Sequence, residues 1–154
     1  VRMSMVLGTT FEMELRILLL LTVKDVKLLS QERMIYCDFM ATYGKYFEVS
    51  KENLHGDNDY GFGELARRRK YVNAAIRNLV LRSLIEVKAQ EDGFYYCISE
   101  RGKGIADALE SEYAIKYRQV TRKVLEKYGE LSDDEMYQVI DSSAKKMLRG
   151  GDGL

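Results

Sequence analysis

The densest chemistry in the chain is a run of four cations, Arg67, Arg68, Arg69 and Lys70, followed by Asn73 and Arg77. Arginine and lysine neutralise phosphates, and a groove-entering helix makes such contacts through its leading part. The same residues could instead meet the acids of a protein partner, or stand as a solvated face. Four consecutive helical residues fan over about 300° at about 100° each, so they cannot all point one way. Reversing Arg68 and Arg69 to Glu is expected to leave folding intact, because exposed substitutions change stability by no more than about 0.5 kcal/mol.

The remaining reactive groups are sparse. His55 is the sole histidine, so a histidine cluster for zinc cannot be assembled. It reads as a loop-packing or helix-capping residue. Cys37 and Cys97 sit among apolar neighbours, in Ile35-Tyr36-Cys37 and Tyr95-Tyr96-Cys97, and read as buried thiols. There is no GxxxxGK[ST] phosphate loop and no GxSxG elbow, and Gly61-x-Gly63 follows no strand. The sequence therefore predicts no catalytic residue, no metal, no cofactor and no small-molecule substrate; the protein is expected not to be an enzyme.

The 154 residues carry 24 basic and 24 acidic side chains, for a formal net charge of +0. A protein that coats nucleic acid is usually strongly basic, so DNA contact, if made, must use a local patch and be weak and non-specific. The length suffices for one domain with a real core. The longest apolar run, residues 17–21, is closely flanked by Arg16 and Lys24. It falls far short of the ~20 residues that span a bilayer. A cytoplasmic location without membrane contact follows as an expectation.

These side chains need elements to hold them. Thr9-x-x-Glu12 reads as a capping box that opens a helix over residues 10–23, with Phe11, Leu15, Leu18 and Leu19 on one face. Ser30 caps a second helix over residues 31–43, turned inward by Met34, Ile35, Phe39 and Met40. A polar connection over residues 44–63 follows, with Tyr46, Phe47, Val49 and Leu54 packing down. The third helix, residues 64–82, buries Leu65, Val72, Ala75, Ile76 and Leu79 and turns Arg69, Asn73 and Arg77 away. Residues 84–89 and 94–98 form a hairpin about Gln90-Glu91-Asp92-Gly93. Ser99 then caps a helix predicted to run unbroken over residues 102–128, roughly 40 Å at ~1.5 Å per residue. Its length exceeds one small core, so Tyr113, Tyr117, Val120 and Val124 are the candidate partner-binding residues. Ser132-x-x-Glu135 opens a last helix to about residue 148.

Three helices, a hairpin and a further helix follow the order of a winged helix-turn-helix. The fold class is thus mainly α with a small β-hairpin. A winged-helix core over residues 1–100 precedes a helical extension over 101–149, packed on the core or on a partner, and a flexible tail over 150–154. A simple operator reader joins its two helices by a turn of about 3–4 residues. The long connection over residues 44–63 points to a motif adapted to another task.

Several segments resemble one family. Phe11-x-x-Glu14-Leu15-Arg16-Ile17-Leu18-Leu19-Leu20-Leu21 is similar to the opening of a middle component of the ABC-three-component systems. Ile35-Tyr36-Cys37-Asp38-Phe39 resembles its acidic-aromatic element in the second helix. Asn53-Leu54-His55-Gly56-Asp57, then Gly63-Glu64-Leu65-Ala66-Arg67-Arg68-Arg69, looks like its loop and third-helix entry, with Gly56 where the family usually has Pro. Leu131-Ser132-Asp133-Asp134-Glu135 matches its C-terminal capping segment. The resemblance covers residues 11–140. It implies a non-catalytic adaptor that joins an SMC- or Rad50-like ABC ATPase to an effector, often a nuclease, as in Lamassu-type antiphage defence. The alternative reading of the residues is a winged-helix transcription regulator, dimeric through the long helix.

Overall fold

The computed structural model describes residues 9–54 and 62–152. Helix α1 is Thr10–Leu21. The Thr9 hydroxyl accepts from the Glu12 amide at 3.1 Å and so caps one of the donors that the first turn leaves open. Its later turns, Ile17 to Leu21, are buried all round, as expected of a helix at the centre of a core. Phe11 departs from its expected inward position and is 57% exposed. The inward side of that first turn is held by Glu12, Met13 and Arg16.

Strand β1, Leu29–Ser30, was not legible in the sequence. Two residues are too short to display a period. Helix α2, Gln31–Thr42, starts as expected, with Ser30 accepting from the Arg33 amide at 3.1 Å. Met34, Ile35, Phe39 and Met40 are buried. The connection begins with a 3-10 turn, Gly44–Phe47. Phe47 and Val49 are buried, and the Phe47 carbonyl accepts from the Tyr128 hydroxyl at 2.9 Å. The first part of the connection is thus pinned down. His55 and the glycines at 56 and 61 lie outside the described residues.

Helix α3, Phe62–Leu81, buries all five residues of its expected stripe. It ends in a Schellman arrangement. Ser83 takes a left-handed φ of 60°. The Leu84 amide reaches the Leu79 carbonyl at 2.9 Å, and the Ser83 amide reaches Val80 at 3.0 Å. Strands β2, Ile85–Gln90, and β3, Gly93–Ile98, pair in antiparallel register from Ile85↔Ile98 to Gln90↔Gly93. β1 adds to the other edge of β3, with Leu29 opposite Tyr96, giving the order β1-β3-β2. The described fold is mainly helical with one small antiparallel sheet.

The unbroken helix over residues 102–128 does not form. Helix α4, Glu100–Asp107, and helix α5, Glu112–Tyr128, are separate. Two interactions make the break. Ser111 caps α5, accepting from the Ala114 amide at 3.1 Å. Arg118 turns back to donate to the Leu109 carbonyl at 3.0 Å and to that of Ala106. The carbonyls at a helix end have spare acceptor capacity, and the guanidinium adds to the Leu109 amide already on Ala106, so it stabilises the stop. Helix α6, Asp133–Asp152, opens with a full capping box. Glu135 N–H donates to Ser132 Oγ at 3.1 Å and Ser132 N–H to Glu135 Oε1 at 2.9 Å. Its backbone continues past the expected end near residue 148, and residues 153–154 lie outside the description. One apolar core joins residues of α1, α2 and α3 to Tyr117, Val120 and Val124 of α5 and Met136 and Ile140 of α6. No helix of the described residues is long and apolar enough to cross a membrane.

Candidate functional site

The fold splits the basic run instead of presenting it. Arg68, on the core side of α3, is only 4% exposed. Its Nη1 donates to Asp38 Oδ2 at 2.9 Å and to Thr42 Oγ1 at 2.6 Å, and its Nη2 to Glu64 Oε1 at 3.1 Å. The guanidinium also lies over the Phe39 and Tyr43 rings, 5.2 and 5.7 Å from their centroids. This corrects the expectation that Arg68 is a surface residue whose reversal would leave folding intact. Arg69 is half-buried and pairs with Glu32 of α2. Arg67 is 72% exposed at its side chain and touches Glu64 at 3.0 Å. Lys70, Asn73 and Arg77 are exposed.

Asp38 is the hub beneath this helix, and sequence reading missed it. Its Oδ1 accepts from Arg16 Nε at 2.9 Å and from the Tyr117 hydroxyl at 2.6 Å. Arg16 Nη2 reaches Oδ2 at 3.2 Å, and Arg16 Nη1 reaches Glu12 Oε1 at 2.7 Å. Helices α1, α2, α3 and α5 thus meet on one carboxylate. A signal existed: an acid amid Tyr36, Cys37 and Phe39, and an arginine just before a run of leucines, both in positions that must be buried. A buried charge is retained only when paired, so each implied the other.

Electrostatics follow from this packing. Burial would raise the Asp38 carboxyl, but Arg16 and Arg68 outweigh it and hold the group at about 2. Burial works against the charge on Arg16, and Asp38 more than restores it, so its pKa moves further up. Burial raises Glu12 despite Arg16. Burial, then Asp38, pushes Tyr117 well up. Burial pushes the Cys37 thiol up to about 12. At neutral pH, Asp38 is thus a fixed anion and Cys37 a neutral thiol, and neither is poised to exchange a proton or attack an electrophile.

The expected partner-binding residues of the long helix are core residues. Tyr117, Val120 and Val124 are buried, and Tyr113 is half-buried, its ring stacked on Tyr117 at 6.3 Å. Their spacing marked an apolar face correctly, but that face turns to α1 and α2 of the same chain. Cys37 is buried as expected, whereas Cys97 is half-buried on the hairpin. No group of three or more His, Cys, Asp or Glu among the described residues could hold a metal ion.

A groove lies where β1, β3 and the starts of α2 and α6 converge, lined in part by Leu28, Ser30, Arg33, Tyr95 and Asp133. Its cation is engaged: Arg33 Nε meets Asp133 Oδ1 at 2.9 Å. Of the basic run and the cations that follow it on α3, those left exposed, Arg67, Lys70 and Arg77, lie on the outer face of the helix. Comparison of the chain with protein families finds a match over residues 6–150 to the family described as ABC-three component (ABC-3C) system Middle Component 2. No curated protein and no solved structure matches.

Proposed function

The chain belongs to the Middle Component 2 family of ABC-three component systems, and from that premise we propose that it is a non-catalytic adaptor. It joins an SMC- or Rad50-like ABC ATPase to an effector nuclease in a cytoplasmic complex that acts against phage or plasmid DNA. We read helices α1 to α3 with the β2–β3 hairpin as a winged helix-turn-helix used as an assembly scaffold. The family places the chain in a multi-component system.

One observation carries the non-catalytic part. The buried ionised cluster spends its charges on holding four helices together, with both Asp38 oxygens engaged by Arg16, Arg68 and Tyr117. Groups tuned for catalysis have pKa values near the working pH, whereas Asp38 is held at about 2. The regulator reading is less favoured, because the long helix through which it was expected to dimerise is broken at residues 108–111 and Tyr117 faces inward.

Co-expression of the chain with its neighbouring genes, followed by affinity purification, tests the adaptor. The expected result is co-elution with a coiled-coil ABC ATPase at fixed stoichiometry. A chain that elutes alone, or that forms a dimer with a palindrome preference, overturns the reading.

A further inference from the structure

From residue 65 to residue 85 the sequence contains six cations, Arg67, Arg68, Arg69, Lys70, Arg77 and Arg82, and no acid. The fold sorts them. Arg68, Arg69 and Arg82 are tied to Asp38, Glu32 and Glu14. The other three stay on the solvent side of α3. Lys70 and Arg77 ion-pair with no carboxylate among the described residues, and Arg67 shares only Glu64, which also serves Arg68.

Arg67, Lys70, Asn73 and Arg77 fall within an arc of about 120°, taking about 100° per residue, over a rise of about 15 Å. Every one of these side chains can donate a hydrogen bond to an anion. Between them stand Ala66 and Ala74, which leave the long side chains proud of the helix surface. We propose that this outer face of α3 is a contact surface for the phosphate backbone of duplex DNA, independent of base sequence. The inference rests on the adaptor reading for the presence of DNA in the complex.

Two features favour DNA over an acidic protein helix. The core of a protein interface is depleted in charge and rich in large apolar groups, and none stands between Arg67 and Arg77 on this arc. Lysine, arginine and asparagine are also the side chains that commonly meet phosphates. Zero net charge over the whole chain keeps such binding local and modest.

The test uses the full chain with a fluorescent duplex of mixed sequence, read by anisotropy from 50 to 200 mM salt. The triple variant Arg67→Ala/Lys70→Ala/Arg77→Ala is compared with Arg69→Ala, whose cation Glu32 already holds. Circular dichroism checks that each variant is folded. Three phosphate contacts correspond to a salt slope of about −2.7, at about −0.9 per contact. The triple variant should bind about tenfold or more weakly and lose most of that slope, while Arg69→Ala should stay close to wild type.

Absence of binding by the wild-type chain at 50 mM salt overturns the proposal. So does a triple variant that binds like wild type, or an Arg69→Ala variant that loses as much. The same variant is carried through the co-purification. A triple variant that still assembles with the ATPase but loses the duplex supports the proposal and leaves the adaptor standing. One that loses assembly and keeps the duplex marks the face as a protein interface and sinks the proposal.

Discussion

Arg68 and Asp38 lie 30 residues apart in the chain and 2.9 Å apart in the fold, with their side chains 4% and 3% exposed. The pair ties α3 to α2 in the middle of the core. Arg16 and Tyr117 reach the same carboxylate from α1 and α5, so the anion is surrounded by helices that share no local sequence.

Breaking that pair removes one of the two guanidinium groups on a buried carboxylate and leaves Arg16 and Tyr117, so the cost should be large but below the roughly 3–5 kcal/mol of a buried charge left wholly unpaired. Arg68→Ala should therefore lower the urea midpoint severely, and Arg68→Glu should prevent folding. Arg67→Ala, one position away and exposed, should change stability by no more than about 0.5 kcal/mol. Equal midpoints for Arg68→Ala and Arg67→Ala would show that the pair contributes nothing.

The acid limb of stability should come mainly from Asp38, the buried carboxyl, with Glu32 beside Arg69 and Glu135 in its capping box shifted in the same direction. Its carboxyl is held at about 2 in the fold against an ordinary 3.8. A depressed carboxyl stabilises the fold above its unfolded pKa and loses that contribution as pH falls through the folded value. The difference is worth about 2 kcal/mol at about 1.36 kcal/mol per unit. Glu12 shifts in the opposite direction, so protonating it does not add to the loss. Urea midpoints between pH 5 and pH 2 should fall for the wild type and fall less for Asp38→Asn, which starts from a lower stability. Parallel acid limbs would remove Asp38 from the account.

Ser83 is a serine where the helix ending asks for glycine, at φ 60°. A left-handed L-residue costs roughly 1–2 kcal/mol, and the greater chain entropy of glycine returns part of it. Ser83→Gly should stabilise by about 0.5–1 kcal/mol, raising the Tm by a few degrees. A lowered Tm would mean that the Ser83 side chain makes a contribution greater than its strain.

Gly102 should tolerate no side chain. A Cβ there would collide with the Leu84 carbonyl oxygen, where the start of α4 crosses the start of the hairpin. Backbone cannot swing away as a flexible side chain can, so Gly102→Ala should destabilise by about 1–3 kcal/mol, the usual range for overpacking. Thermal melting checks it, with Gly104→Ala in the same helix as the control, which meets open space and should hold or raise the Tm because alanine is the better helix former.

What the amino-acid sequence determined by itself is the local part of this protein. Thr9, Ser30 and Ser132 cap the helices assigned to them, and Ser99 caps α4, the first piece of the helix expected over residues 102–128. The apolar stripes of α2 and α3 face inward, and the hairpin turns where Glu91-Asp92-Gly93 demands. These features depend on residues within one or two turns of each other, and their period or chemistry can be read along the chain. The family is legible for the same reason, since ordered short motifs carry it. Only the tertiary structure decided which cations are free. Arg67, Arg68 and Arg69 are indistinguishable by type, and their fates depend on Glu64, Asp38 and Glu32, two of which lie on another helix. It also decided the break before α5, where Arg118 outbids a continuous helix by capping the end of α4, and the inward turn of Tyr117. A stripe at helical spacing states that a face will be buried. It does not state against what, because that depends on contacts between segments tens of residues apart, whose energies no local pattern records.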